Sequence, residues 1–111
     1  MANQDNLITM TVPESTARGA LISGAGTLSA TLRAIGVLEE PTDAGETKQA
    51  VRISGTALAL YGATITAGKV CKSDANGKLV EVAGDGSDDY LACALTIDAG
   101  ADGELGRVKV L

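Results

Sequence analysis

The sequence predicts an all-β protein, a small β-barrel or sandwich-like domain of short strands with an N-terminal arm. Turn-forming residues recur about every 8–15 residues, and the runs between them contain many β-branched side chains. Fourteen glycines in 111 residues provide for many tight turns. No segment keeps the apolar period of an amphipathic helix for more than about two turns.

The apolar residues of this chain are mostly aliphatic. The apolar fraction of 45% is ordinary for a globular protein, but there is no Trp, no Phe and only two Tyr. Because aromatic side chains bury the most surface, a small domain without them has little surplus stability. We therefore expect oligomerisation or docking onto a larger body to contribute stability.

The first 18 residues are expected to form an N-terminal arm or edge strand, and residues 19–111 a single β-rich domain. Ile8, Met10 and Val12 alternate with polar residues and would share one face of a strand, which Pro13 ends. Two interpretations stay open. The segment is either an arm that adds a strand to a partner's sheet or an ordinary first strand.

Short apolar runs and turns alternate in the first half of the domain. Residues 20–22 are apolar, and residues 23–26 have the composition of a loop. Residues 28–38 are expected to hold one long strand or a bent pair, with Gly36 as the weak point. Residues 41–45 contain the proline, aspartate and glycine typical of a turn.

A half-buried strand is predicted next. Val51 and Ile53 alternate with polar residues, and Gly55 separates them from the apolar run at residues 58–60. Gly62 closes this unit.

The clearest local signal is the pair Asn76-Gly77. Both residues tolerate positive φ, so the pair predicts a two-residue type I′ turn. This turn would join residues 69–72 to residues 78–82 in a hairpin.

The last third of the chain is expected to hold two more strands. Residues 90–97 alternate as in a strand, although Leu91 and Leu95 are also spaced by one helical turn, so a short helix is the alternative. A loop at residues 98–103 then leads to a clearly alternating last strand at residues 107–110.

The sequence lacks residue types and spacings on which many common enzymes depend. There is no histidine, which removes the commonest general base and the Ser–His and Cys–His pairs. Cys71 and Cys93 lie far apart and lack the paired spacing of a zinc site. We interpret them as two buried thiols of a reducing compartment, in preference to a disulfide, and we predict no cofactor and no enzymatic activity.

The charge and hydropathy argue against two classes of partner. Fourteen acidic residues outnumber nine basic ones, a net charge of −5, whereas nucleic-acid surfaces need clustered cations. No apolar run approaches the roughly 20 residues that span a membrane. The first residues lack the features of a signal peptide, so we expect synthesis and assembly in a cytoplasm.

From about residue 18 to the end, the order of segments resembles the phage capsid decoration proteins, also called cement or capsid-stabilising proteins. The segments that carry the resemblance share a pattern of alternating strands and glycine turns. They are residues 19–22, 34–38, 45–55, 65–82, 91–95 and 106–111.

The resemblance implies a protein of the virion that binds the outer surface of the expanded capsid and stabilises it against the pressure of packaged DNA. It implies the major capsid protein as partner and a homo-oligomer, a trimer by preference. The segments that we expect to contact the capsid or other subunits are the N-terminal arm and two loops. The candidate residues are Ile8, Met10, Val12, Pro13, Ser23, Gly24, Gly26, Pro41 and Glu46.

Two other functions stay open. One is a carbohydrate-binding β-module of a tail or adhesin, although two tyrosines offer little for stacking on sugars. The other is a small hydrolase that uses paired carboxylates, for which the sequence has no motif.

Overall fold

The computed structural model describes residues 7–10, 18–23, 27–39 and 49–111. Within these residues nine strands and one short 3₁₀ turn at Asp89–Leu91 are present. The strands are β1 (Leu7–Met10), β2 (Leu21–Ser23), β3 (Ala34–Leu38), β4 (Gln49–Arg52), β5 (Gly55–Leu60), β6 (Val70–Ser73), β7 (Leu79–Glu81), β8 (Ala94–Thr96) and β9 (Leu105–Val110). The described part contains no helix long and apolar enough to cross a membrane.

The strands form two antiparallel sheets, which confirms the predicted all-β class. The four-stranded sheet has the order β1-β4-β3-β2, and the five-stranded sheet has the order β5-β9-β8-β6-β7. The two sheets do not close into a barrel, so of the two predicted architectures the layered, sandwich-like one describes the fold.

The strand β1 pairs with β4 of the same chain. Ile8 lies opposite Val51, and Met10 lies opposite Gln49. Among the described strands β1 is at the edge of its sheet. The described part of the N-terminal segment is therefore a strand of this domain's own sheet, while Val12 and Pro13 lie outside the described residues.

Both faces of the four-stranded sheet carry buried side chains. Leu21 and Val37 pack in the core shared with the five-stranded sheet, whereas their sequence neighbours Ile22 and Leu38 belong to a second cluster with Val51. Successive side chains of a strand point to opposite faces, so a strand buried on both faces has a continuous apolar run. This explains why residues 20–22 and 37–38 show no polar alternation.

Of the apolar segment 28–38, only residues 34–38 form a strand. Gly36 does not interrupt this strand but lies in its middle, opposite Ile22. A Cβ atom at this position would lie 2.4 Å from the carbonyl oxygen of Arg52. Glycine is thus required by the close approach of β4 and not by a bend.

The largest fully buried side chain of the described core is that of Tyr61. Its ring packs against the backbone of two glycines. A Cβ atom at Gly106 would lie 2.6 Å from the ring, and one at Gly100 would lie 2.7 Å from it. The Tyr61 hydroxyl donates a hydrogen bond of 2.6 Å to the carbonyl oxygen of Asp98. The buried phenol is therefore satisfied, and its ring fixes the distance between β5 and the turn that precedes β9.

The hairpin at Asn76-Gly77 is confirmed, but the predicted type I′ turn is wrong. The amide of Asp74 donates to the carbonyl of Lys78 at 2.8 Å, so the loop has three residues, of which Gly77 has φ 76°. The Asp74 carboxylate accepts hydrogen bonds from the amides of Asn76 and Lys78 and closes the loop one residue earlier than predicted. A three-residue loop with a left-handed glycine is the next common hairpin connection.

The segment at residues 90–97 combines the two predicted alternatives. Its first part is the 3₁₀ turn at Asp89–Leu91, and its second part is β8. The burial of both Leu91 and Cys93 explains why the whole segment has the pattern of a strand.

The two cysteines are free and buried, as the sequence analysis favoured. Burial raises the pKa of the Cys71 thiol from 9.0 to about 12, with a further contribution from the nearby Glu81 carboxylate. Burial also raises the pKa of the Cys93 thiol, to about 11, which the positive charge of Arg33 partly offsets. Both side chains thus behave as small apolar residues of the core.

We predict that Gly106→Ala lowers the free energy of unfolding by about 1–3 kcal/mol, because the new methyl group overlaps the Tyr61 ring. In a Tyr61→Leu background the same substitution should cost clearly less, since the smaller side chain leaves room. Urea unfolding of the unsubstituted protein, the two single variants and the double variant measures this coupling. Gly84→Ala is the control, because nothing lies near its added Cβ atom. Effects that add within about 0.5 kcal/mol would contradict the packing described here.

We also predict that stability falls as the pH rises above about 8. The unfolded chain ionises its thiols near their ordinary pKa of 9.0, while the folded chain keeps the protons up to about 11 and 12. Each thiol should lower the free energy of unfolding by up to about 1.4 kcal/mol per pH unit in this window.

Urea unfolding between about pH 8 and pH 10 tests the thiol effect. A variant with Cys71→Ala and Cys93→Ala should lose less stability over this range than the unsubstituted protein. Equal losses in the two proteins would show that other groups cause the effect.

Candidate interaction surface

The outer face of the five-stranded sheet is largely apolar and exposed. Along β5 and β9, successive side chains point alternately into the core and onto this face. Ala57, Ala59 and Val108 are among those that point into the core. Four large side chains of the outer face are each 37–42% exposed, namely Leu58, Val70, Ile97 and Leu105. We call this surface the outer face. Several large exposed apolar side chains on one face of a small domain are typical of an interaction surface.

Two cations, Arg107 and Lys109, interrupt the apolar side chains of the outer face. Arg107 lies opposite Leu58 in the β5–β9 register, and Lys109 lies opposite Leu95 in the β8–β9 register. Both cations are exposed. The outer face therefore offers apolar area together with a small number of positive charges.

The position of Arg107 is fixed by Asp98. The Arg107 Nε and Nη2 atoms donate to the two carboxylate oxygens of Asp98, each at 2.9 Å, and the Arg107 amide adds a third hydrogen bond at 3.1 Å. The side-chain hydrogen bonds from Arg107 lower the pKa of Asp98 and raise the pKa of Arg107. Exposed ion pairs add little stability, so the effect of this pair is to orient the guanidinium on the surface.

A groove of about 360 Å³ adjoins the outer face at the edge of β5. Its described lining contains three of the protein's four arginines. The described lining residues are Arg18, Leu38, Glu39, Arg52, Thr56, Ala57, Leu58 and Arg107. We call it the arginine groove.

Backbone hydrogen bonds of Gly19 connect the two sheets beside the arginine groove. The Gly19 amide donates to the carbonyl of Leu38 in one sheet, and the Leu60 amide donates to the Gly19 carbonyl in the other, both at 2.9 Å. Gly19 has φ 85°, and a Cβ atom would lie 2.5 Å from the Leu105 side chain. Arg18 is thus fixed at the junction of the two sheets.

The arginines of the groove differ in their pairing. Arg52 donates to Glu39 at 3.1 Å, and Arg107 pairs with Asp98. Arg18 is exposed and has no ion-pair partner among the described residues. The groove thus keeps a positive charge that the described part of the chain does not neutralise.

An acidic turn follows β7. The Asp88 carboxylate accepts a hydrogen bond from the Ala83 amide at 2.8 Å and pairs with Lys72, and the Asp85 carboxylate accepts one from the Ser87 amide at 2.9 Å. These hydrogen bonds lower the pKa of both carboxyl groups. In this turn, residues 83–90, Asp85 and Asp88 therefore stay negatively charged to below the usual pKa range of aspartate.

The acidic turn ends in an exposed aromatic residue. Tyr90 is 70% exposed, more than any other large apolar side chain of the described residues. Asp89, next to it, is also exposed. Because Tyr61 is buried, Tyr90 is the aromatic residue that this protein can offer to a partner.

The structure describes three of the nine contact residues predicted from the sequence. Ile8 is partly buried and packs against the second core cluster, and Met10 lies in β1. Ser23 lies at the end of β2 with 1% exposure, and its hydroxyl pairs with that of Thr27 at 3.1 Å. Val12, Pro13, Gly24, Gly26, Pro41 and Glu46 lie outside the described residues, so the contacts of the arm and of both loops stay predictions.

Sequence reasoning did not identify the outer face or the arginine groove. The alternation at residues 105–110 shows that one side of this strand is buried. It does not show that exposed apolar side chains of β5, β6, β9 and the residue after β8 share one face, because that depends on the strand order. Arg18, Arg52 and Arg107 are 34 and 55 residues apart along the chain.

No protein-family model and no curated protein matches the sequence. A solved structure does match: the N base of the head fiber gp8.5 of bacteriophage phi29, with a TM-score of 0.71. The two chains share a fold. The similarity covers 95% of this chain and 92% of the phage chain, with 13% sequence identity. Nearly the whole domain, including both sheets, is thus matched in a phage protein of very different sequence.

Proposed function

We propose that this chain is a structural protein of a phage virion, which binds the outer surface of the expanded head and stabilises the shell. The observation that carries the proposal is the fold shared with the base of a phage head fiber over 95% of this chain. The order of segments along the sequence, which resembles capsid decoration proteins, supports it independently. The partner would be the major capsid protein.

The outer face is the surface that we propose for docking on the shell. Burial of apolar side chains stabilises a contact by about 25 cal/mol per Å² of apolar area. Leu58, Val70 and Ile97 lie on a hydrogen-bonded sheet, so they lose little backbone freedom when they bind. Arg107, held by Asp98, would set the orientation of the contact.

The stabilising effect would follow from linkage. A protein that binds the expanded shell and not its unexpanded or dissociated form stabilises the expanded shell at every occupied site. The gain per site is about 2.7 kcal/mol when the free concentration is 100 times the dissociation constant. Because many sites act on one shell, a modest gain at each site is sufficient to resist the pressure of packaged DNA.

The proposed role needs no catalysis, in agreement with the lack of histidine in the sequence. The described residues contain no cluster of three acidic or cysteine side chains that could hold a metal ion. The alternative of a carbohydrate-binding module would depend on Tyr90, since Tyr61 is buried and cannot stack on a sugar.

Co-sedimentation with phage heads tests the proposal. We expect saturable binding to emptied, expanded heads of the phage that encodes the protein and no binding to its unexpanded proheads. Absence of binding to both particles would contradict the proposal and lead to a glycan array with a Tyr90→Ala control.

The outer face is tested separately by Val70→Glu and Ile97→Glu. Each places a carboxylate in the proposed apolar contact and should weaken binding to expanded heads by about tenfold or more. Leu32→Glu is the matched control, because Leu32 is 50% exposed and lies in the segment that precedes β3. If all three variants bind equally well, another surface docks, and the N-terminal arm is the next candidate.

A further inference from the structure

Opposite charges lie at opposite edges of the five-stranded sheet. The strand β5, which borders the arginine groove, is at one edge, and β7, which leads into the acidic turn, is at the other. Among the described residues, no ion pair joins a carboxylate of the acidic turn to an arginine of the groove within one copy.

The two features are complementary in chemistry. The groove holds Arg18, which has no ion-pair partner among the described residues, beside the apolar side chain of Leu58. The acidic turn presents the Asp89 carboxylate next to the exposed ring of Tyr90. Within the turn, Asp88 pairs with Lys72 and Asp85 accepts a hydrogen bond from the Ser87 amide, whereas the Asp89 carboxylate has no hydrogen bond or ion pair among the described residues.

We propose that the acidic turn of one copy binds in the arginine groove of a second copy. Asp89 would pair with Arg18, and the Tyr90 ring would pack against Leu58 and the guanidinium groups of the groove. Arg–carboxylate pairs and cations stacked on aromatic rings are both favourable at partly desolvated sites. Tyr and Arg are also the residue types that most often dominate protein interfaces.

A second copy fits this groove better than other anionic partners. Each copy has a net charge of −5, so two copies repel each other except where the arginine groove meets an acidic surface. A nucleic acid would be repelled by the same net charge, and the described lining of the groove contains no lysine for a phosphate backbone.

The contact joins two different surfaces, so it is heterologous. Such a contact gives a closed ring or an open chain, depending on the rotation between neighbours. It covers Leu58 and leaves Val70, Ile97 and Leu105 of the outer face uncovered, so copies could associate side by side while those side chains dock on a shell. The inference does not depend on the proposed function, because it concerns the purified protein alone.

Sedimentation velocity of the purified protein tests the contact at concentrations up to about 1 mM. We expect association that weakens as the salt concentration rises, because the contact depends on charge. Arg18→Glu and Asp89→Lys should each weaken it about tenfold or more. The matched controls are Arg33→Glu and Asp102→Lys, which make the same charge changes at exposed positions outside the groove and the acidic turn.

Mixing two neutral variants distinguishes this contact from any other. The Arg18→Ala variant keeps its acidic turn, and the Asp89→Ala variant keeps its groove, so their mixture should form a one-to-one complex that grows no further. A single chain that carries both Arg18→Glu and Asp89→Lys should associate again, because the reversed charges are complementary.

Three outcomes would overturn the inference. They are a monomer at every concentration, equal effects of the groove variants and their controls, and a mixture that does not associate. Binding to heads is a separate measurement: a variant with Arg18→Glu that binds heads but does not self-associate supports both proposals. A Val70→Glu variant that no longer binds heads but still self-associates would also support both proposals.

Discussion

The ring of Tyr61 packs directly on the backbone of Gly100 and Gly106, and this contact sets the geometry of the five-stranded sheet. Around it, the Tyr61 amide donates to the carbonyl of Glu104, and the Gly103 amide donates to the Tyr61 carbonyl, both at 2.8 Å. The end of β5 is thus joined to the turn that begins β9. In a chain with so few aromatic residues, one ring supplies much of the bulk of the core, and its neighbours must be small to admit it.

The two sheets are connected by backbone hydrogen bonds as well as by apolar packing. Gly19 bonds to both sheets, and the Leu21 amide donates to the Gly77 carbonyl at the tip of the β6–β7 hairpin, at 2.7 Å. A Cβ atom at Gly77 would lie 2.6 Å from the Leu28 side chain, so the hairpin tip is also close to the segment before β3. Because these contacts involve main-chain atoms, the relative position of the sheets depends little on the identity of most side chains. Such a core is compatible with the low sequence identity to the phage head fiber base.

The sequence predicted those parts of the fold that depend on local signals. The all-β class, the hairpin at Gly77, the end of a strand near Gly62 and the last strand follow from turn residues and from alternation. The length of the hairpin loop was wrong because the Asp74 side chain competes with the backbone for hydrogen bonds. The outer face and the arginine groove could not be predicted, since Arg18, Arg52 and Arg107 come together only through the order of the strands. For Ile8 the sequence indicated a strand but could not distinguish a partner's sheet from the domain's own.

The different environments of the two tyrosines make them separate spectroscopic reporters. With no tryptophan in the chain, near-ultraviolet absorption and intrinsic fluorescence arise from Tyr61 and Tyr90 alone. Tyr61 is fully buried and held by a hydrogen bond, so its circular dichroism reports on the packing of the core. Tyr90 is 70% exposed, so quenching of its fluorescence by iodide or acrylamide reports on whether the acidic turn is covered. Folding and association can therefore be followed in the same unlabelled sample.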